Sequence, residues 1–461
     1  MSSIEIVSII IILIIGAVYM GLIKWLQGLQ SNKSDVFDFE KDYQTANEKP
    51  HYKGENPTEQ STLIGNANQK NVFIPNNAKH VFICGTTGSG KTVALANFLK
   101  SGVDNDYPML IVDGKGDTDE GSLLEITKDI CSNRKVYVIN LNDPKTSDKY
   151  NPFKNTNSDV IKDMLINMTE WSEPHYKFNT ERYIQRLCKL LSMKEIEISL
   201  ETLTHYLPIA NFTKLSRDLE MTELITKEEH TENLTLAKTS GEIAESAAAR
   251  FATIKESNLG QIFDSSGIDI YTALQENAVI LFILNPLLYP EMSPLIGNLI
   301  VIDSKKAVNN LYVNKKKRIF YILDEINVYA TSALLDLVNK SRSANVTCVL
   351  ATQSLSDLDN VNDQFKEQII ENCNNYIVLR QNSATNAEHW ANVFGTRETM
   401  QATYQIKGEN GEAQSTNLGS LRKVREYLYH PDDIKQLGTG KAIFVSRDKM
   451  FHTRVNINKP F

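Results

Sequence analysis

The sequence predicts an α/β fold: a mostly parallel sheet with an inserted all-helical domain, preceded by one N-terminal transmembrane helix. Three observations carry this prediction. From about Val72 onward, short unbroken apolar runs alternate with helical patterns, as expected of strands covered on both faces. One run, His80-Val-Phe-Ile-Cys84, leads through a glycine-rich loop into a helix-like stretch, Thr92-Val-Ala-Leu-Ala-Asn-Phe-Leu99. From about Ser158 to Ile270 there are helical patterns but no convincing strand, as in Arg182-Tyr-Ile-Gln-Arg-Leu-Cys-Lys-Leu-Leu191 and Glu242-Ile-Ala-Glu-Ser-Ala-Ala-Ala-Arg-Phe-Ala252.

The N-terminal element comes first. Between Glu5 and Lys24 lie eighteen residues without a charge. Extended through Trp25 and Leu26, they are long enough for the roughly 30 Å hydrocarbon core of a bilayer. A cleaved signal peptide would carry Lys or Arg before the apolar run and a small-residue cleavage site after it. Neither is present, so residues 6–26 read as an uncleaved single-pass anchor in the cytoplasmic (inner) membrane. Lys24, Lys33 and Lys41 follow the uncharged run. By the positive-inside rule this puts the N-terminus outside and the long C-terminal part in the cytoplasm. Residues 27–70 are polar and lack apolar periodicity, which reads as a linker.

The sheet follows in two parts, residues 71–157 and 271–461, around the helical insertion at 158–270. Its strand candidates are Val81–Cys84, Met109–Asp113, Val136–Asn140, Ala278–Leu284, Arg318–Leu323, Thr347–Ala351, Tyr376–Leu379 and Ala442–Val445. At 461 residues, 41 % apolar and 23 % charged, the chain has ample core for such an assembly. A net charge of −7 excludes a surface that is basic as a whole, so any contact with a polyanion is local. Cys84, Cys131, Cys188, Cys348 and Cys373 lack metal-ligand spacing and read as buried thiols of a reducing compartment.

The loop Gly85-Thr86-Thr87-Gly88-Ser89-Gly90-Lys91-Thr92 matches G-x-x-x-x-G-K-[ST], and its strand and helix flanks are the right context. The glycines let backbone N–H groups converge on a nucleotide's phosphates at the positive end of the next helix. Lys91 reaches the β/γ-phosphates and the Thr92 hydroxyl ligates Mg²⁺. The predicted fold is therefore a P-loop NTPase (RecA-like) domain that binds ATP with Mg²⁺.

A second half of the site lies some 230 residues later. Arg318-Ile-Phe-Tyr-Ile-Leu-Asp324-Glu325 is an apolar strand ending in two acids. Asp324 suits the Mg²⁺ shell opposite Thr92, and Glu325 suits the role of base toward an attacking water, which argues for hydrolysis. Val346-Thr-Cys-Val-Leu-Ala-Thr-Gln353 delivers a polar amide to the carboxyl edge of the sheet, where Gln353 can orient water or sense the γ-phosphate. Arg342 is the candidate for an arginine finger reaching a neighbouring subunit, with Arg380 as the weaker alternative. Lys315-Lys-Lys-Arg318 reads more readily as a solvated turn before a strand than as a DNA patch.

Taken together these segments resemble the TraG/TraD family of type IV secretion and conjugation coupling proteins, within the larger FtsK/HerA group of ring-shaped ATPases. Besides the phosphate loop and Asp324-Glu325, the resemblance rests on Asp113-Gly-Lys-Gly-Asp117, Tyr150-Asn-Pro-Phe153, Ser343-Ala-Asn-Val346 leading into Ala351-Thr-Gln-Ser354, Glu371-Asn-Cys-Asn374, and His430-Pro-Asp-Asp-Ile434 with Leu437 and Gly440. It covers residues from about 70 to 450. It implies a membrane-anchored, homo-hexameric ATPase that couples relaxase-bound single-stranded DNA, or a DNA-protein substrate, to a type IV secretion channel. Its implied partners are the relaxosome proteins, the channel components, the DNA strand and the inner membrane. The helical insertion is similar to that family's all-alpha domain. Two other readings stand beside it: a nucleotide-binding receptor that hands cargo to another ATPase, and an FtsK/HerA-type DNA pump outside conjugation. Many family members carry two membrane helices, whereas this sequence shows one.

Overall fold

The computed structural model describes residues 18–24 and 60–461, apart from 78, 168–173, 313–316, 360, 362–363 and 410–411. Of the expected membrane span, residues 18–24 are helical with Val18, Tyr19, Met20 and Leu22 exposed; its other residues, 6–17 and 25–26, lie outside the described ones. No described helix is long and apolar enough to cross a membrane, so the described residues do not support that part of the predicted fold. The linker at 27–59 and part of Lys315–Arg318 also lie outside them.

The chain separates into two compact units, and one of them, Tyr52–Phe394 with Tyr429–Phe461, contains the sheet. Thirteen strands are described: β1 (Ser61–Ala67), β2 (Lys70–Pro75), β3 (His80–Cys84), β4 (Met109–Asp113), β5 (Val136–Asn140), β6 (Val279–Ile283), β7 (Ile319–Asp324), β8 (Val346–Thr352), β9 (Cys373–Val378), β10 (Thr396–Glu409), β11 (Glu412–Tyr427), β12 (Lys441–Ser446) and β13 (Phe451–Ile457). Eleven form one sheet in the order β2-β1-β13-β12-β9-β3-β8-β7-β4-β6-β5. From β9 to β5 every pairing is parallel. From β9 outward to β2 every pairing is antiparallel.

The parallel part carries the core. β3, β4, β6, β7 and β8 are buried at every position. Helices cover both faces, as the unbroken apolar runs require. The helices are α1 (Lys91–Asp104) and α2 (Leu123–Ile130), then α3 (Ser158–Asn167), α4 (Pro174–Met193), α5 (Leu200–Tyr206), α6 (Ile209–Met221), α7 (Lys227–Glu256) and α8 (Ile270–Gln275). After β6 come α9 (Met292–Leu311), α10 (Ser332–Ser341), α11 (Ser356–Asp359), α12 (Phe365–Asn372), α13 (Ala384–Phe394) and α14 (Pro431–Lys435). All five thiols are buried and unpaired, and burial pushes the Cys84 thiol up to about 12, which makes it chemically inert.

The chain from α3 to α8 lies between β5 and β6 and contains no strand among its described residues. Two of its helices start on capping boxes: Ser199 accepts from the Thr202 N–H at the head of α5, and Thr226 pairs with Glu229 at the head of α7. Their apolar stripes meet in a core that includes Leu187, Leu191, Leu203 and Leu215, with the Tyr183 and Phe212 rings 4.5 Å apart. Where the chain leaves the sheet, a buried network ties it to α9. The Tyr150 hydroxyl donates to Asp303 Oδ2 at 2.9 Å, and Lys306 Nζ donates to the Pro152 carbonyl at 2.8 Å while pairing with Asp303 Oδ1 at 2.7 Å.

Two features depart from the sequence reading. Residues 61–67, placed in the polar linker, form β1, which turns through Asn68 and Gln69, both in left-handed conformation (φ 49° and 64°), into β2. β1 and β13 are each buried at only some positions, which include Thr62 and Thr453, so neither shows an unbroken apolar run. The second departure is the other compact unit, Met1–His51 with Gly395–Leu428. Its described residues from 396 onward form a long antiparallel hairpin of β10 and β11, in a stretch read as sheet domain.

Candidate active site

The glycine loop leaves the carboxyl end of β3 and is held by backbone bonds on both sides. Gly85 N–H donates to the Thr352 carbonyl at 3.3 Å and Thr86 N–H to the Arg380 carbonyl at 3.0 Å. From the C-terminal part of the chain, Gly440 N–H donates to the Ser89 carbonyl at 2.9 Å and Thr439 Oγ1 to the Gly88 carbonyl at 3.2 Å. Gly90 takes φ 107°, and a Cβ there would sit 3.3 Å from the Gly440 Cα, so both conformation and space call for glycine. Gly90 is also the N-cap of α1, and no side chain caps that helix. Its leading N–H groups are the kind that hold an anion.

β7 and β8 bring the distant residues to this loop. Lys91 Nζ bonds the Glu325 Oε1 and lies 3.4 Å from Asp324 Oδ1. Gln353 Nε2 donates to the same Glu325 oxygen at 2.7 Å, and Thr87 Oγ1 donates to Gln353 Oε1 at 3.1 Å. A continuous chain therefore runs from the loop tip through Gln353 to Glu325 and back to the loop lysine. Glu325 itself takes left-handed backbone, φ 48° and ψ 53°, a conformation that costs a non-glycine residue roughly 1 kcal/mol or more and is retained where the surroundings enforce it. Here the Glu325 N–H donates to Asp324 Oδ1 at 3.0 Å and the Tyr329 hydroxyl to the Asp324 carbonyl at 2.9 Å.

Lys91, Asp324 and Glu325 are 8 %, 3 % and 4 % exposed. Burial opposes the lysine's charge, but Asp324 and then Glu325 more than offset it and hold Lys91 above its ordinary range. Burial pushes the Asp324 carboxyl up, while Lys91 pulls it back. The arrangement buries the Lys91 ammonium against the side chains of Asp324 and Glu325.

The other side of the site is a cleft of about 180 Å³ lined by Thr92, Asp324, Asp113 and the turn after Asp113. Asp113 ends β4 and is the register partner of Asp324 on β7. Burial, then the neighbouring Asp324, pushes its carboxyl up to about 7. A hydroxyl and carboxylates converging on one cleft are hard oxygen donors, which suits Mg²⁺ held by few protein ligands together with substrate phosphates.

Of the residues expected at the site, Gly85 through Thr92, Asp324, Glu325 and Gln353 are brought together. Arg342 is not. It is exposed and caps the end of α10 at the amino edge of the sheet, where its charge bears on His80 at the start of β3. The seven residues of β8 separate it from Gln353, about 20 Å of extended chain. Arg342 thus does not reach the glycine loop. Arg380 stands at the carboxyl edge beside Thr86, with its Nε buried and unpartnered. Asp113 and Thr439 lie at the site, although motif reading assigned them no role there. Asp113 did carry a signal, since it closes an apolar run just as Asp324 does.

Comparisons with known proteins agree with this geometry. The sequence profile of the type IV secretion-system coupling protein DNA-binding domain matches residues 72–458. The unbound bacterial conjugative coupling protein TrwBdeltaN70 is similar in structure, with a TM-score of 0.62 at 17 % identity over 88 % of this chain and 90 % of that one. The plasmid coupling protein TrwB in complex with ADP and Mg²⁺ aligns with a TM-score of 0.58 at 16 % identity, over 92 % and 93 %. VirB4 of Thermoanaerobacter pseudethanolicus aligns with a TM-score of 0.56 at 10 % identity, over 88 % and 98 %. At these identities the structures establish a shared fold.

Proposed function

Since the chain belongs to the family of type IV secretion-system coupling proteins, we propose that it is a Mg²⁺-dependent ATPase that drives DNA into a type IV secretion channel. On this reading it acts as a homo-hexamer anchored in the inner membrane through residues 6–26, its N-terminus outside. It receives a relaxase-bound single strand, or a DNA-protein substrate, for conjugation or plasmid mobilisation. A solved relative with ADP and Mg²⁺ supports the choice of nucleotide and ion.

The observation that carries the catalytic part is the convergence of Lys91, Gln353 and Thr87 on Glu325 and its neighbour Asp324. The loop amides and Lys91 bind the triphosphate. Thr92 and Asp324 would hold Mg²⁺, which neutralises phosphate charge. A triphosphate competes with Glu325 for the Lys91 ammonium. Once Lys91 turns to phosphate, Glu325 Oε1 keeps the Gln353 amide and loses its cation, so the carboxylate can take the proton of an attacking water. On this reading Gln353 reports phosphate loss to β8 and the segment after it, which its bonds to Glu325 and to Thr87 at the loop tip support. Arg342, remote from its own loop, is assigned to the site of the adjacent subunit.

The test is ATP hydrolysis by the full chain in detergent, with and without single-stranded DNA. The expected result is turnover that rises with DNA. DNA transfer that persists in cells carrying only Lys91→Ala would favour the receptor reading instead.

A further inference from the structure

The nucleotide site holds more negative than positive charge. Asp113, Asp324 and Glu325 are each at most 4 % exposed, and among the described residues the cation bonded to this group is Lys91. With all three carboxyls ionised, the group lacks two positive charges, the charge of one divalent ion. Buried charge of one sign is costly until it is paired.

We propose that Asp113 is a second carboxylate ligand for the divalent cation, alongside Asp324 and Thr92; this rests on the reading of the site as one for nucleotide and Mg²⁺. Asp113 and Asp324 are register partners on adjacent parallel strands, which places them about 4.8 Å apart across the ladder. The approach continues past the strand ends, where Gly114 N–H donates to the Asp324 carbonyl at 3.2 Å. A Cβ at Gly114 would lie 2.9 Å from that oxygen and 2.8 Å from the Glu325 carbonyl oxygen, so a glycine after Asp113 is what lets the two acidic strand ends meet. The Asp113 carboxyl is also fixed in orientation. Its Oδ1 accepts from Lys115 N–H at 2.9 Å and Gly116 N–H at 3.2 Å. No described group donates to Oδ2, and the residue lines the same cleft as Thr92 and Asp324. One oxygen is thus a hinge pin and the other is free for a ligand. The chemistry selects a hard, oxygen-loving divalent ion such as Mg²⁺ or Mn²⁺.

The experiment is Mn²⁺ titration of the full chain, saturated with a non-hydrolysable ATP analogue, followed by electron paramagnetic resonance of the free ion. Asp113→Asn keeps the acceptor toward Lys115 and Gly116 but removes the charge on Oδ2. We expect its Mn²⁺ dissociation constant to rise about tenfold or more, the lower end of what losing even an outer-shell partner costs. Analogue affinity measured without metal should stay as in the wild type. Mn²⁺ affinity unchanged in Asp113→Asn, when Asp324→Asn weakens it, overturns the assignment. If Asp113→Asn gives no cooperative melt, Asp113→Ser, which cannot crowd the cleft, takes its place with the same two outcomes. A wild-type chain that binds neither analogue nor Mn²⁺ refutes the nucleotide-site reading and this ligand with it. A wild type that binds both, with variants that bind equally well, refutes the ligand alone.

Discussion

Gln353 Nε2 donates to Glu325 Oε1 at 2.7 Å, the same oxygen that the Lys91 ammonium bonds. One carboxylate oxygen therefore gathers the ends of three strands: Lys91 after β3, Glu325 after β7 and Gln353 after β8. Because these strands are adjacent and parallel, their carboxyl ends open on one edge, and residues 28 and 234 positions apart in sequence become hydrogen-bond partners.

Replacing Glu325 with Gln keeps the size of the side chain and removes its basicity. Turnover should fall by about 10²–10⁴-fold, the range of a lost general base. Binding of a fluorescent ATP analogue should persist, since Lys91 is then freed from its carboxylate partner. Phosphate release near the wild-type rate would remove Glu325 as the base.

Lys91→Ala should abolish turnover and also destabilise the fold. It leaves Asp324 and Glu325 buried without their cation, a change that costs on the order of 3 kcal/mol. Urea denaturation should show a lower midpoint than the wild type. Adding Glu325→Gln to Lys91→Ala should restore part of the loss, because one uncompensated charge disappears. A double variant no more stable than Lys91→Ala would show that the ion pair contributes nothing to stability.

Arg342 lies at the amino edge of the sheet, so the arginine finger proposed for it would act on a neighbour's site. Arg342→Ala and Lys91→Ala subunits should each be inactive alone, and mixtures should regain part of the ATPase rate, since some interfaces then pair an intact loop with an intact arginine. No recovery at any ratio would remove Arg342 as a residue acting between subunits.

His80 makes folding stability depend on pH. Its Nδ1 accepts from the Cys348 N–H at 3.0 Å and its Nε2–H donates to the Val338 carbonyl at 2.9 Å, so the neutral ring is the bonded form. Burial, helped by the Arg342 charge, lowers its pKa to about 4 against the Val338 bond. The folded chain therefore resists a proton that the unfolded chain accepts below about 6.5. The contribution is complete above pH 6.5 and is lost as pH falls toward 4, at most on the order of 3 kcal/mol. His80→Gln should flatten this part of the urea-midpoint profile between pH 7 and 4. A profile as steep as the wild type's would assign the acid sensitivity to other groups.

Much of the centre of the fold was legible because β3, β4, β6, β7 and β8 are buried on both faces and therefore read as continuous apolar runs. The antiparallel edge was not. β1 and β13 are only partly buried, and the polar residues they carry make them resemble a linker or a loop when read along the chain. The hairpin of β10 and β11 was missed as well, being rich in Thr, Gln, Ser and charged residues with no apolar run to mark it. Among the site residues, the loop and Asp324-Glu325 announced themselves by spacing. Asp113 looked like any acid that ends a strand, because its significance lies in facing Asp324 across a ladder.

By itself the sequence determined the local chemistry: a glycine loop that Gly85, Gly88 and Gly90 let bend, a lysine at its end, and two acids closing a buried strand. These are contiguous features, dictated by backbone conformation and by the short-range rule that strands covered twice are apolar twice. Only the tertiary structure decided which distant groups share a charge. It set Lys91 against Glu325, Asp113 beside Asp324, and Arg342 at the far edge. Strand order and register are chosen by non-local packing, and electrostatic energy depends on distances that chain position does not reveal.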